Sequence, residues 1–179
     1  SQKFVDFFLP LDLEVFIRSI GLIGLFAVIF AESGLLIGFF LPGDSLLFTA
    51  GFLSSQGYIS LPLLIAATFL AAVLGDNVGY SLGRKFGPRI FESSSSRLFH
   101  KENLLRVRSF FEHYGGMAII FARFLPFART FAPVLAGTGE MRYSIFFFYN
   151  VTGGILWAGG LPILGFWLGN AIPNVDRYL

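Results

Sequence analysis

The chain has no cysteine and only two histidines in 179 residues, and just 13% of it is charged. Without cysteine there is neither a disulfide framework nor a thiolate metal site. His100 and His113 fall in one polar segment and read as solvated or interfacial side chains rather than metal ligands. There is no Ser-His-Asp set, His-rich metal motif or phosphate-cradling glycine loop on a strand. The chain is therefore read as not an enzyme, with no metal and no cofactor. A net charge of +2 is too small to point to nucleic acid. A charged start followed by a short apolar core and a small-residue cleavage site is missing, so no signal peptide is expected.

What is present in quantity is apolar surface. The sequence is 55% hydrophobic with 24 phenylalanines, and its mean hydropathy is +0.72, values a soluble domain rarely tolerates. Ser45 to Gly75 runs 31 residues without a charge and Tyr143 to Val175 runs 33. Each exceeds the roughly 20 residues that span a bilayer as a helix. The expected class is an all-α integral membrane protein, one membrane domain over residues 1–179.

The charges divide this domain. Residues 1–20 carry Lys3, Asp6, Asp12, Glu14 and Arg18 among apolar residues near helical spacing, the pattern of an interfacial helix, with Pro10 interrupting it. Residues 84–115 hold seven basic side chains against Glu92, Glu102 and Glu112, with Leu104, Val107, Phe111 and Tyr114 as an apolar stripe after the turn at Ser93–Ser96. This basic amphipathic linker is expected in the cytoplasm by the positive-inside rule.

Two further segments are apolar but broken. Residues 21–57 contain Glu32 and then Pro42, Gly43 and Asp44; residues 116–141 contain Arg123, Pro126, Arg129 and Pro133. Irregular backbone at membrane depth is tolerated only where protein or a wet cavity covers it. Both segments are read as re-entrant hairpins bending at Pro42, Gly43, Pro126 and Pro133, with a single crossing of Gly21 to Leu41 as the alternative. Helices over 60–83 and 143–172 then cross the membrane.

An internal repeat supports this plan. AVIFAE (Ala27 to Glu32) matches AIIFAR (Ala118 to Arg123) at an offset of 91; Ala50-Gly51 matches Ala136-Gly137, and GYSLG (Gly79 to Gly83) matches GFWLG (Gly165 to Gly169), both at 86. With one hairpin and one crossing per half (21–83 and 116–172), the second half begins on the opposite face. The result is an inverted repeat, a plan shared with many transporters. A buried charge at the centre of a lipid-facing helix costs at least ~2.5–3.5 kcal/mol, so such groups face partners or water. Glu32 and Arg123, at equivalent positions, are expected to pair, with Asp44 and Arg129 beside the bends, forming one pocket of zero net charge. A static lock between hairpins is the alternative.

Gly75, Gly79, Gly83 and Gly87 recur every four residues, the pattern that lets helix backbones approach. They are read as packing on the other half, or second as a homodimer seam. Asp76 beside them either joins a proton path or accepts hydrogen bonds from a helix end. Trp157 and Trp167 are read as ordinary packing or interface residues.

FLPGDSLLFTAG (Phe40 to Gly51), GDNVGYSLGRKFG (Gly75 to Gly87), FARFLPFARTFAPVLAG (Phe121 to Gly137) and YNVTGGILW (Tyr149 to Trp157) resemble the signature segments of the bacterial DedA family, which shares the VTT domain with eukaryotic lipid scramblases. The resemblance implies opposed hairpins in an inner (plasma) membrane protein and a flippase or scramblase acting on a polyisoprenyl phosphate carrier, such as undecaprenyl phosphate, or on phosphatidylethanolamine, often proton-linked. Membrane lipids and protons are its implied partners. The family's functional acids match Glu32 and Asp44, and its arginines Arg123 and Arg129. Family members usually continue into a further hydrophobic helix where this sequence stops at Leu179, which leaves the total number of spans open. Guanidiniums suit a lipid phosphate because they are planar, bidentate and permanently charged. Arg123 and Arg129 are therefore the expected phosphate ligands, with Glu32, Asp44 and Asp76 as ion-pair and proton-handling groups. A proton-coupled transporter of small ions or solutes is the alternative function.

Overall fold

A computed structural model describes residues 11–34, 43–93 and 101–171. Its elements are all helices: α1 (Leu11–Gly34), α2 (Gly43–Ser55), α3 (Leu61–Ser93), α4 (Lys101–Tyr114), α5 (Met117–Arg123), α6 (Pro126–Thr138) and α7 (Tyr143–Ala171). Among the described residues, three stretches are long and apolar enough to cross a membrane, Val15–Gly34, Leu61–Gly87 and Tyr143–Ala171. Pro10, Pro42, Ser94–Ser96 and His100 lie outside the described residues.

The boundary expected at residue 21 is a kink inside α1. Gly21 adopts φ 59 and ψ −163, a conformation nearly closed to residues with a Cβ. Helix α3, expected to end at residue 83, runs on to Ser93, so residues 84–93 of the expected linker are helical. Gly83 and Gly87 do not end it because their bare faces are packed: a Cβ would lie 2.0 Å from the Val134 carbonyl oxygen at Gly83 and 2.3 Å from the Thr138 hydroxyl at Gly87.

The bend of the second broken segment falls at Leu125, which is extended at φ −112 and ψ 115 before Pro126 opens α6. A residue preceding proline is pushed out of the helical region, and proline suits a first helical turn. Pro133 is not a bend, contrary to the sequence reading: it lies inside α6. Its ring displaces the intrahelical bond to the carbonyl four residues back, that of Arg129 in the opening turn, and the helix continues around that one loss.

Side-chain contacts give the directions. Ile17 shares an apolar cluster with Leu64, while Gly34 abuts the Gly75 backbone, so α1 runs parallel to α3. Helix α6 also runs parallel to α3, with Val134 against Gly79 and Gly83 and Thr138 against Gly87. Helices α2 and α5 run parallel to α7: Phe48 meets Gly165 and Ser55 meets Gly169, while Gly116 meets Tyr149 and Gly153 meets Ile120. Helix α3 is antiparallel to α7, since Val73 faces Asn150 and residues from Leu61 to Phe69 line a groove with Ile155 to Ile163.

Helix α1 thus ends beside the middle of α3, and α5 ends against the first half of α7. At about 1.5 Å per residue, the 13 residues of α2 and the 7 of α5 rise about 20 Å and 10 Å, short of the ~30 Å hydrocarbon core. The contacts recur at the offset read from the sequence. Phe48 against Gly165 is matched by Val134 against Gly79, and Phe52 against Gly169 by Thr138, whose hydroxyl donates to the Gly83 carbonyl at 3.3 Å. The glycine seam is filled from within the chain: Gly75 by α1, and Gly79, Gly83 and Gly87 by α6.

Candidate functional site

The ends of α1, α2, α5 and α6, with the middle of α3, bring five charges together. Glu32 stands in the last turn of α1 and Asp44 in the first turn of α2. A Cβ on Gly43 would collide with the Glu32 carboxylate, so glycine is what lets α2 begin there. An acid at a helix N-terminus is also favoured by the exposed N–H groups and the helix dipole. From the other half, Arg123 closes α5 and Arg129 stands in the opening turn of α6.

Arg129 ties α6 to both α1 and α2. Its Nη2 donates to Glu32 Oε1 and its Nη1 to Asp44 Oδ1 at 2.7 Å. Its guanidinium carbon lies 4.6 Å from the centre of the Trp157 ring. The Trp157 indole N–H in turn donates to Asp44 Oδ1 at 2.7 Å. A guanidinium over an indole face is a favourable cation–π contact, more so when desolvated.

Arg123 is elsewhere. The sequence reading paired it with Glu32; instead its Nη2 donates to Asp76 Oδ2 of α3 and to the Asn150 side-chain oxygen of α7. Asn150 also donates to the Val73 carbonyl at 3.3 Å. The physical reason is geometric. Positions equivalent under a twofold relation touch only if the axis passes between them. Glu32 faces the start of α2, while Arg123 faces the α3–α7 seam. The expected zero net charge is overturned with the pairing: three carboxylates meet two guanidiniums, a formal charge of −1 when all are ionised.

Burial separates the members. Glu32, Asp76, Arg123 and Arg129 are all buried, whereas the Asp44 side chain is 40% exposed. Asp44 is the cluster's accessible edge. Several buried polar atoms have no partner among the described residues: Glu32 Oε2, Asp76 Oδ1, Arg123 Nη1, Arg129 Nε and the Thr130 hydroxyl oxygen. Unpaired buried polar atoms are costly in a purely structural ion pair. No group of three or more metal-binding side chains occurs among the described residues.

Sequence reasoning missed Asn150 and Trp157. Asn150 is the sole carboxamide between Tyr143 and Gly169, and it is fully buried. A lone amide in so apolar a helix needs a hydrogen-bond partner, and that was the available signal.

Residues 41–169 match the VTT domain. An uncharacterised membrane protein of Mycobacterium leprae is 45% identical over 152 residues, covering 85% of this chain and 68% of that protein. A second uncharacterised membrane protein, from Mycobacterium tuberculosis, is 43% identical over 154 residues, 85% of this chain and 67% of its own length. The protein DedA of Escherichia coli is 42% identical over 157 residues, 87% of this chain and 71% of its own. No solved structure matches.

Proposed function

Because the chain belongs to the VTT-domain family, whose matched relatives include DedA, we propose that it moves a phosphate-bearing lipid between membrane leaflets in exchange for a proton. The substrate is a polyisoprenyl phosphate carrier such as undecaprenyl phosphate, or phosphatidylethanolamine. In this reading the two halves form an inverted repeat, and α1–α2 and α5–α6 are hairpins entering from opposite faces of an inner membrane. The end of α1, the starts of α2 and α6 and the end of α5 contribute to the charge cluster.

The observation that carries the reading is Arg129, a buried guanidinium held by two acids, one of them partly exposed. Resting, it is neutralised by Glu32 and Asp44. A lipid phosphate arriving at Asp44 competes for the same planar donor face. The displaced carboxylate loses its counter-charge in a low-dielectric site, and taking up a proton relieves that cost. The charge count supports the same coupling, since one proton neutralises a cluster of three acids and two bases. Arg123, held by Asp76 and Asn150 at the α3–α7 seam, anchors the second hairpin and places Arg129.

Purified protein in liposomes, supplied with labelled lipids of several head groups with and without a pH gradient, tests this. Gradient-dependent exposure of a phosphate lipid to an outer-leaflet reagent is expected. Movement of a small soluble anion with no lipid exposure would establish the solute-transporter alternative instead.

A further inference from the structure

A second site lies under the linker helix. Helices α4, α5 and α6 enclose a groove of about 380 Å³. Its walls are Phe110 and Phe111 of α4 and Phe131 of α6, and its floor includes Ala118 and Ala122 of α5. Phe110 and Phe131 are both exposed, so the groove is open on one side. Among the described residues of the lining, one is charged, Arg106 of α4. Arg106 is exposed.

We propose that this groove binds one chain of an anionic phospholipid, with the lipid phosphate on Arg106. The occupant follows from the order of polarity along the groove. A single cation stands among walls that are otherwise apolar, and a phospholipid presents the complementary sequence, anion and then hydrocarbon. Amphipathic α4 supplies both parts, since Phe111 and half-buried Val107 face the bundle while Arg106 and His113 are exposed. That is the placement expected of a helix at head-group level. Guanidinium and phosphate pair through charge-assisted hydrogen bonds. The alanines matter because any larger side chain there would occupy the space a methylene chain needs. The site is distinct from the central charge cluster and stands or falls independently of the transport reading.

The test uses the absence of cysteine. Ser109→Cys, exposed beside Phe110, is labelled with bimane in the full chain in detergent. It is titrated with phosphatidic acid bearing a mid-chain nitroxide, and separately with the matching nitroxide diacylglycerol. Saturable quenching by phosphatidic acid is expected. Arg106→Gln should weaken it by about fivefold or more while leaving the diacylglycerol curve unchanged. Ala118→Leu should remove the saturable component for both lipids. Should Ala118→Leu fail to fold by circular dichroism, Arg106→Gln decides alone. Non-saturable quenching in the parent, an Arg106→Gln curve equal to the parent's, or bimane protected by a second copy in cross-linked dimers would each overturn the proposal.

Discussion

Trp157 donates its indole N–H to the Asp44 carboxylate at 2.7 Å, joining the middle of α7 to the first turn of α2. The same Asp44 oxygen accepts from Arg129, so a tryptophan and an arginine hold one carboxylate from two sides. Fixing Asp44 fixes which way Arg129 points.

Trp157→Phe should therefore keep the ring beneath Arg129 and lose only the hydrogen bond to a charged acceptor, worth about 1.5–3 kcal/mol. Lipid transport in liposomes should fall by roughly tenfold or more, and the melting temperature by several degrees. Parental transport would limit Trp157 to packing.

Asp76 and Arg123 form a buried pair, and breaking such a pair from one side costs about 3–5 kcal/mol, whereas removing both charges is often nearly neutral. Asp76→Asn and Arg123→Gln should each lower the melting temperature, and the double variant should recover much of the loss. Glu32→Gln combined with Arg123→Gln should instead give additive losses. Recovery in that second pair would restore the symmetry-mate contact that the geometry contradicts.

The glycines of α3 and α7 divide by what faces them. Gly83 sits against the Val134 carbonyl, while nothing lies within 4 Å of a Cβ placed on Gly159. Gly83→Ala should destabilise the protein by about 1–3 kcal/mol through overpacking. Gly159→Ala should be neutral or slightly stabilising, because alanine is the better helix former. Equal effects would mean α3 and α6 are not held in contact.

Topology offers a separate check. Gln56 follows α2 and Arg142 precedes α7, and both are exposed. Single cysteines there should label from opposite faces, with Arg142 on the cytoplasmic side. Labelling of both from one face would contradict hairpins that enter from opposite leaflets.

Much of this was legible in the sequence because composition and local rules govern it. Uncharged runs near Leu61 and Tyr143 mark two long helices, and four charges in otherwise apolar broken segments mark the cluster. Pro126 marks the bend because its restriction on Leu125 is local. Partnership was not legible. Whether Arg123 meets Glu32 or Asp76 depends on how α5 is rotated against α3 and α7, and no offset along the chain encodes that rotation. Pro133 misled for a related reason: a proline's cost to a helix depends on which carbonyl it displaces. Trp157 looked like ordinary packing because its indole N–H acquires a role only once α2 is docked beside it.

The central claim is that the Arg129 guanidinium binds the transported phosphate. Arg129→Lys keeps the charge, and with it the attraction of Glu32 and Asp44, but loses the planar bidentate donor pair. The decisive measurement is the rate at which labelled undecaprenyl phosphate becomes accessible at the outer leaflet of liposomes containing folded Arg129→Lys protein, relative to the parent. The account predicts a loss of about tenfold or more, consistent with a missing charge-assisted hydrogen bond. An unchanged rate would show that Arg129 contributes a charge to the fold and no phosphate contact.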